Sequence, residues 1–176
     1  DPYNSQIIYA ATFQGIARSL DGGDNWVFPV NEIKQERSSL TTGLTQPGSV
    51  YVGSLFGTIE SSSNYGDDWQ ISSVDDINKP TIWDLAVDPR NEARIFAAAG
   101  TQYVPPFDIG DLYISNDSGE TWISSNLNLP ANAVEATVVN DETVVYVGVG
   151  DTNLMTVTGG VYRLKEAVGW EQIGLE

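Results

Sequence analysis

The chain predicts an all-β fold, a β-propeller built of four-stranded antiparallel blades, and three observations predict it. One short apolar strand recurs four times. Each copy is followed by a glycine-led strand and then by a tryptophan. Those tryptophans, Trp26, Trp69, Trp122 and Trp170, stand 43, 53 and 48 residues apart. A period in the forties with several short strands in each period is the spacing of a propeller blade.

We letter the strands of a blade A to D from the axis outward. Strand B is the recurring one, at residues 7–12 (IIYAAT), 49–54 (SVYVGS), 94–100 (RIFAAAG) and 144–150 (VVYVGVG). Each copy mixes β-branched and aromatic residues with small ones and ends in turn chemistry, as a buried strand does. The turns ahead of two copies repeat, Asp1-Pro2-Tyr3-Asn4 and Asp88-Pro89-Arg90-Asn91. Gln46-Pro47-Gly48 and Asn140-Asp141-Glu142 fill the equivalent places. Proline, aspartate and asparagine preset such turns through fixed φ and local side-chain hydrogen bonds. Strand C opens at Gly15, Gly57, Gly110 and Gly160, and strand D accompanies each tryptophan. Strand A is expected over residues 39–44, 81–87 and 134–139, in blades two, three and four. Blade one begins at its A–B turn, so the blades cover approximately 1–30, 38–74, 81–126 and 134–176.

A closed ring uses a full set of inner strands, and one is missing here. The expectation is four consecutive blades of a larger ring. A second reading is that another chain donates the strand, giving self-association through the incomplete first blade, because exposed edges invite pairing. The start at Asp1-Pro2 has neither an initiator methionine nor the charged and apolar regions of a signal peptide, so the native N-terminus is expected to lie elsewhere.

Composition narrows the functions. A chain of 176 residues buries about 70% of its unfolded surface on folding, enough for a core without staples. It has no cysteine, which removes disulfides, thiolate zinc sites and thiol nucleophiles, and no histidine to serve as base for a serine nucleophile. The 24 acidic residues against 8 basic ones give a formal charge of −16, which repels nucleic acid and anionic membrane surfaces. No apolar run approaches the ~20 residues that span a bilayer. No glycine-rich phosphate loop opens a helix. No cofactor and no metal is expected.

The turn between strands C and D carries a family resemblance. Ser19-Leu20-Asp21-Gly22-Gly23-Asp24-Asn25-Trp26 and Ser115-Asn116-Asp117-Ser118-Gly119-Glu120-Thr121-Trp122 share the pattern Ser-x-Asp-x-Gly-x-x-Trp. Ser62-Ser63-Asn64-Tyr65-Gly66-Asp67-Asp68-Trp69 has asparagine for aspartate. These resemble the Asp-box, or bacterial neuraminidase repeat, of sialidase, sortilin-type, xyloglucanase and photosystem-assembly propellers. Blade four departs from it, since residues 163–170 keep only the glycine and tryptophan. The box reads as a folding device. Serine and aspartate bond the turn backbone, the glycine takes a conformation other residues resist, and the tryptophan packs between blades. A calcium loop using Asp21, Asp24 and Asp117 is rejected, because the alternating oxygen ligands ending in a bidentate glutamate are absent. The resemblance favours an extracytoplasmic or secreted setting.

The resemblance also places C–D and A–B turns on one face and B–C and D–A loops on the other, the usual ligand face. The longest B–C loops are residues 101–109 (TQYVPPFDI) and 151–158 (DTNLMTVT). Tyr103, Phe107 and Asp108, stiffened by Pro105-Pro106, suit a sugar-stacking platform, with Asp151 and Asn153 from the next loop; cover for the end of the core is the alternative. On strand A of blade three, Trp83 and Asp84 are candidates for the channel mouth. Alternation puts Ile82, Asp84 and Ala86 on one face and Trp83, Leu85 and Val87 on the other. Asp84 is the candidate acid or base, with a hydrogen-bonded strand neighbour as the competing reading.

Sialidase activity, as the resemblance implies it, needs an arginine triad on the ligand face. Arg18, Arg37, Arg90, Arg94 and Arg163 do not assemble one in this strand assignment, and the negative charge repels sialic acid. A xyloglucanase-like hydrolase of neutral polysaccharide needs two carboxylates ~5–10 Å apart; Asp84 with Asp108 or Asp151 would supply them, but that family uses two propeller lobes. The expected function is a non-catalytic binding module for a protein or carbohydrate, with the glycoside hydrolase as the alternative.

Overall fold

The computed structural model describes residues 1–28, 37–74, 79–101, 109–150, 159–165 and 168–174. They form four antiparallel sheets in which each strand pairs with the next in sequence. The first sheet contains β1 (Ile8–Thr12) and β2 (Gly15–Ser19), extended by one bridge from Arg18 to Val27. The second contains β3 (Arg37–Thr42), β4 (Val50–Ser54), β5 (Thr58–Ser62) and β6 (Gln70–Ser73). The third contains β7 (Thr81–Asp88), β8 (Asn91–Gly100), β9 (Gly110–Ser115) and β10 (Ile123–Ser124). The fourth contains β11 (Ala131–Val139), β12 (Glu142–Gly150), β13 (Gly159–Lys165) and β14 (Gly169–Gly174). The sheets stack in sequence order as an open arc, with β3 packed on β7 and β7 on β11.

The core is a set of slabs between successive sheets. Ile16 packs with Val50 and Val52 between the first two, supported by Tyr9 and Trp69. Tyr51, Ile59, Ile82, Leu85, Ile95 and Trp122 fill the second slab. Phe96, Leu112, Val134, Val145 and Val147 fill the third. The strands of the middle sheets face a slab on each side, which is why β4 and β8 read as nearly unbroken apolar runs rather than as alternating ones.

Polar staples cross each junction between sheets. Asp1 bonds the Gly48 amide through Oδ2 (3.2 Å), and Asp88, its counterpart in the third sheet, accepts from Thr143 Oγ1 (2.8 Å). Both aspartates also cap their own turns: Asp1 Oδ1 accepts from the Tyr3 amide and Asp88 Oδ1 from the Arg90 amide. Between the second and third sheets, buried Glu92 accepts from the amide of Thr45 at 2.9 Å and from its hydroxyl. Trp122 Nε1 donates to Ser72 Oγ (3.0 Å) across that junction, and Trp170 Nε1 to the Ser125 carbonyl (3.2 Å) across the next.

Each inner strand of the complete sheets carries an irregularity near its start. Register slips by one residue at Ser38, Trp83 and Asn132. The slip corrects the alternation expected for β7. Ile82, Leu85 and Val87 face the second slab and Ala86 the third, because the extra residue at Trp83 inverts the pleat between Ile82 and Asp84.

Candidate functional site

The three bulged residues form a recurring feature at the inner rim, at the end where strand A begins. Each donates a side-chain hydrogen bond to the carbonyl near the end of its strand B. Ser38 Oγ reaches Gly53 (3.3 Å), Trp83 Nε1 reaches Gly100 (3.0 Å), and Asn132 Nδ2 reaches Gly150 (2.9 Å). A bulge re-aims one side chain while the flanking residues stay in the core, so Trp83 keeps part of its ring exposed beside the fully buried Ile82.

Asp84 follows the bulge, and its two oxygens have separate tasks. Oδ1 accepts from the Leu85 amide (2.9 Å) and Oδ2 from the Val134 amide of β11 (2.9 Å). The carboxylate therefore fastens the third sheet to the fourth beside the bulge. Both contacts are to backbone amides, which act as fixed donors rather than as proton carriers.

On the opposite face, the three C–D turns share one hydrogen-bond pattern. Ser19 Oγ donates to Asp21 Oδ1 (2.8 Å) and accepts from the Gly23 amide (2.9 Å), while Asp21 Oδ1 accepts from the Asn25 amide (2.8 Å). Ser62 with Asn64, Gly66 and Asp68, and Ser115 with Asp117, Gly119 and Thr121, repeat every one of these contacts. Gly23, Gly66 and Gly119 have φ of 103°, 83° and 90°, a region that L side chains resist. Each turn also docks through one backbone bond on its own sheet, at the A–B turn or the first residues of strand B: Gly22 to Gln6, Tyr65 to Gly48, and Ser118 to Ala93. Hydrogen bonds from Asn25 hold the Asp21 carboxyl down at about 2, and those from Thr121 lower Asp117. Trp26 and Trp69 return their indole N–H to the turn carbonyls of Gly23 and Gly66, whereas Trp122 reaches the neighbouring sheet.

Arg18, Arg94 and Arg163 stand at three separate places in the described residues. Arg18 is buried against the second sheet, where Nη1 donates to the Tyr65 carbonyl and to Asp67 Oδ1 (2.7 Å). Burial pushes the neighbouring Tyr9 hydroxyl up to about 12. Arg94 lies 3.7 Å from Asp88 and over the Phe96 ring. Arg163 pairs with Glu171 (2.6 Å) on the outer strands of the fourth sheet. Tyr103, Phe107, Asp108, Asp151 and Asn153 lie outside the described residues. Sequence reasoning missed Ser38 and Asn132, because a bulge is defined by its pairing with a distant strand. It also missed a groove of about 240 Å³ between the C–D turns of the second and third sheets, floored by Tyr51 and edged by Ser61, Asn64, Asp68, Ser118 and Glu120.

No family model matches the chain, and no curated protein matches it. Solved structures do. The chain is similar to an ancestral GH74 enzyme at 18% identity and a TM-score of 0.77, covering 98% of this chain and 25% of that one. It is similar to the GH74 xyloglucanase of Xanthomonas campestris at 16% identity and 0.67, covering 99% and 30%. A structure of YCF48 bound to D1 peptide matches at 10% identity and 0.62, covering 96% and 50%. The chain therefore spans from a quarter to half of the length of these structures. Such identities speak to fold alone, and that fold is a β-propeller.

Proposed function

We propose that the chain is part of a propeller that binds a protein or carbohydrate ligand at the face where the inner strands begin, without catalysing a reaction there. The observation that carries this reading is Asp84. The carboxylate at the inner rim is engaged with two backbone amides and serves to hold β11. Beside it the bulge presents Trp83, whose ring combines apolar area with an anchored N–H. YCF48, one of the structural neighbours, is a propeller solved with the D1 peptide bound, and binding of a protein partner accords with that example. In this reading Tyr103, Phe107, Asp108, Asp151 and Asn153 extend the surface begun by Trp83.

The test is capture on a glycan array and on a peptide library, followed by Trp83→Ala and the double substitution of Tyr103 and Phe107 by alanine. Losing the ring that centres a binding surface costs about 2 kcal/mol or more, roughly thirtyfold in affinity. Unchanged binding in both variants would refute the site. The hydrolase alternative predicts neutral-polysaccharide cleavage by the parent chain and its loss in Asp84→Asn; cleavage that survives the substitution removes Asp84 from catalysis.

A further inference from the structure

The groove between the second and third sheets has an internal counterpart. Counting from the turn serines, the cross-strand pair Tyr9–Arg18 of the first sheet becomes Tyr51–Ser61 in the second and Phe96–Ile114 in the third. On the facing turn, Tyr65 and Asp67 lie three and five residues after Ser62, and Ser118 and Glu120 lie three and five after Ser115. Tyr65 and Ser118 share the same left-handed conformation, with φ of 62° and 60°, so their carbonyls take equivalent places. At the first junction Arg18 fills the site, giving Nη1 to the Tyr65 carbonyl and to Asp67. At the third junction Ile114 packs into the apolar slab. At the second junction the position belongs to Ser61, too short to cross, and the groove opens there, bordered by Tyr51, Ser118 and Glu120.

We propose that this groove receives an arginine side chain presented by a partner protein. The first junction supplies the chemistry: a tyrosine beside the stem, a carbonyl in line with the guanidinium, and a carboxylate to pair with it. Glu120 has one methylene more than Asp67, which suits a ligand entering from solvent rather than from the strand beneath. A planar guanidinium gives directed N–H groups to a carbonyl and a carboxylate together, which an ammonium does as a point charge. A formal charge of −16 also draws basic partners. The site lies on the C–D turn face, away from the rim around Trp83, so its test is independent of the reading above.

The experiment titrates acetyl-Gly-Arg-Gly-amide into the 15N-labelled chain and follows the amides of residues 61, 118 and 120. Saturable shifts confined to the groove are expected, with none from the matched citrulline peptide, which is isosteric and uncharged. Ser61→Arg, which supplies the guanidinium from within as Arg18 does, is expected to abolish the response and raise Tm. Glu120→Gln, an exposed change, is expected to weaken binding about tenfold and keeps the test decisive if Ser61→Arg does not fold. Equal response to the citrulline peptide, undiminished binding in Ser61→Arg or Glu120→Gln, or no response to the arginine peptide at roughly 10 mM would each overturn the proposal.

Discussion

At the residue scale, the C–D turns show how much one short side chain can organise. Ser115 is fully buried, and its hydroxyl bonds the Asp117 carboxylate and the Gly119 amide. Ser115→Ala leaves that amide without its acceptor, and a loss of about 1–3 kcal/mol is expected in urea denaturation. The aspartate beside the serine adds a pH dependence whose sign is fixed by its depressed pKa. Asp21 titrates near 2 in the fold against an ordinary value of 3.8. Its contribution is complete above about pH 4 and disappears as the pH falls toward 2. In the second turn Asn64 makes the equivalent bonds without a charge. Asp21→Asn is therefore expected to keep the neutral-pH stability and to flatten the loss between pH 4 and 2, measured as the difference in midpoint from the parent chain.

At the element scale, what was legible in the sequence follows from what is local. Strands β4, β8 and β12 announce themselves by composition, and the turns by Ser, Asp, Gly and Trp at fixed offsets, because those residues bond within the same few positions. The inner strands have the expected cores, and β7 also begins at the expected Thr81. β3 and β11 begin at Arg37 and Ala131 rather than at 39 and 134, since the bulges at Ser38 and Asn132 let pairing continue past the point where a regular pleat would stop. Nothing within five residues of Trp83 encodes its slip; the partners are Ala98 and Ala99. The rim was thus half read: Trp83 and Asp84 were found by type, while the geometry that separates their roles depends on strand pairing. Asn132→Ala removes the bond to Gly150 at an exposed position. It is expected to cost under about 1.5 kcal/mol while shifting the amide resonances of residues 148–150, a local change that NMR resolves.

At the scale of the whole molecule, the −16 charge opposes compaction through self-repulsion. Screening is nearly complete beyond about 10 Å at 0.1 M salt, so Tm is expected to rise between low and roughly 0.5 M sodium chloride. A fall would mean that ion pairs such as Arg18–Asp67 outweigh the long-range term. The slab-and-staple construction has a further consequence for cooperativity. Among the described residues no strand ladder crosses from one sheet to another, so those residues couple neighbouring sheets through the slabs and the bonds that stitch them, as links in a one-dimensional chain. The third sheet has neighbours on both sides, and residues 95–99 of β8 are sealed from solvent. Its amides should exchange with deuterium only on global unfolding, whereas β1 and β14, at the margins of the described arc, should exchange through cheaper local openings. Taken as these 176 residues, the described arc loosens from its margins inward, sheet by sheet, and protease cleavage and aggregation of this chain would begin there.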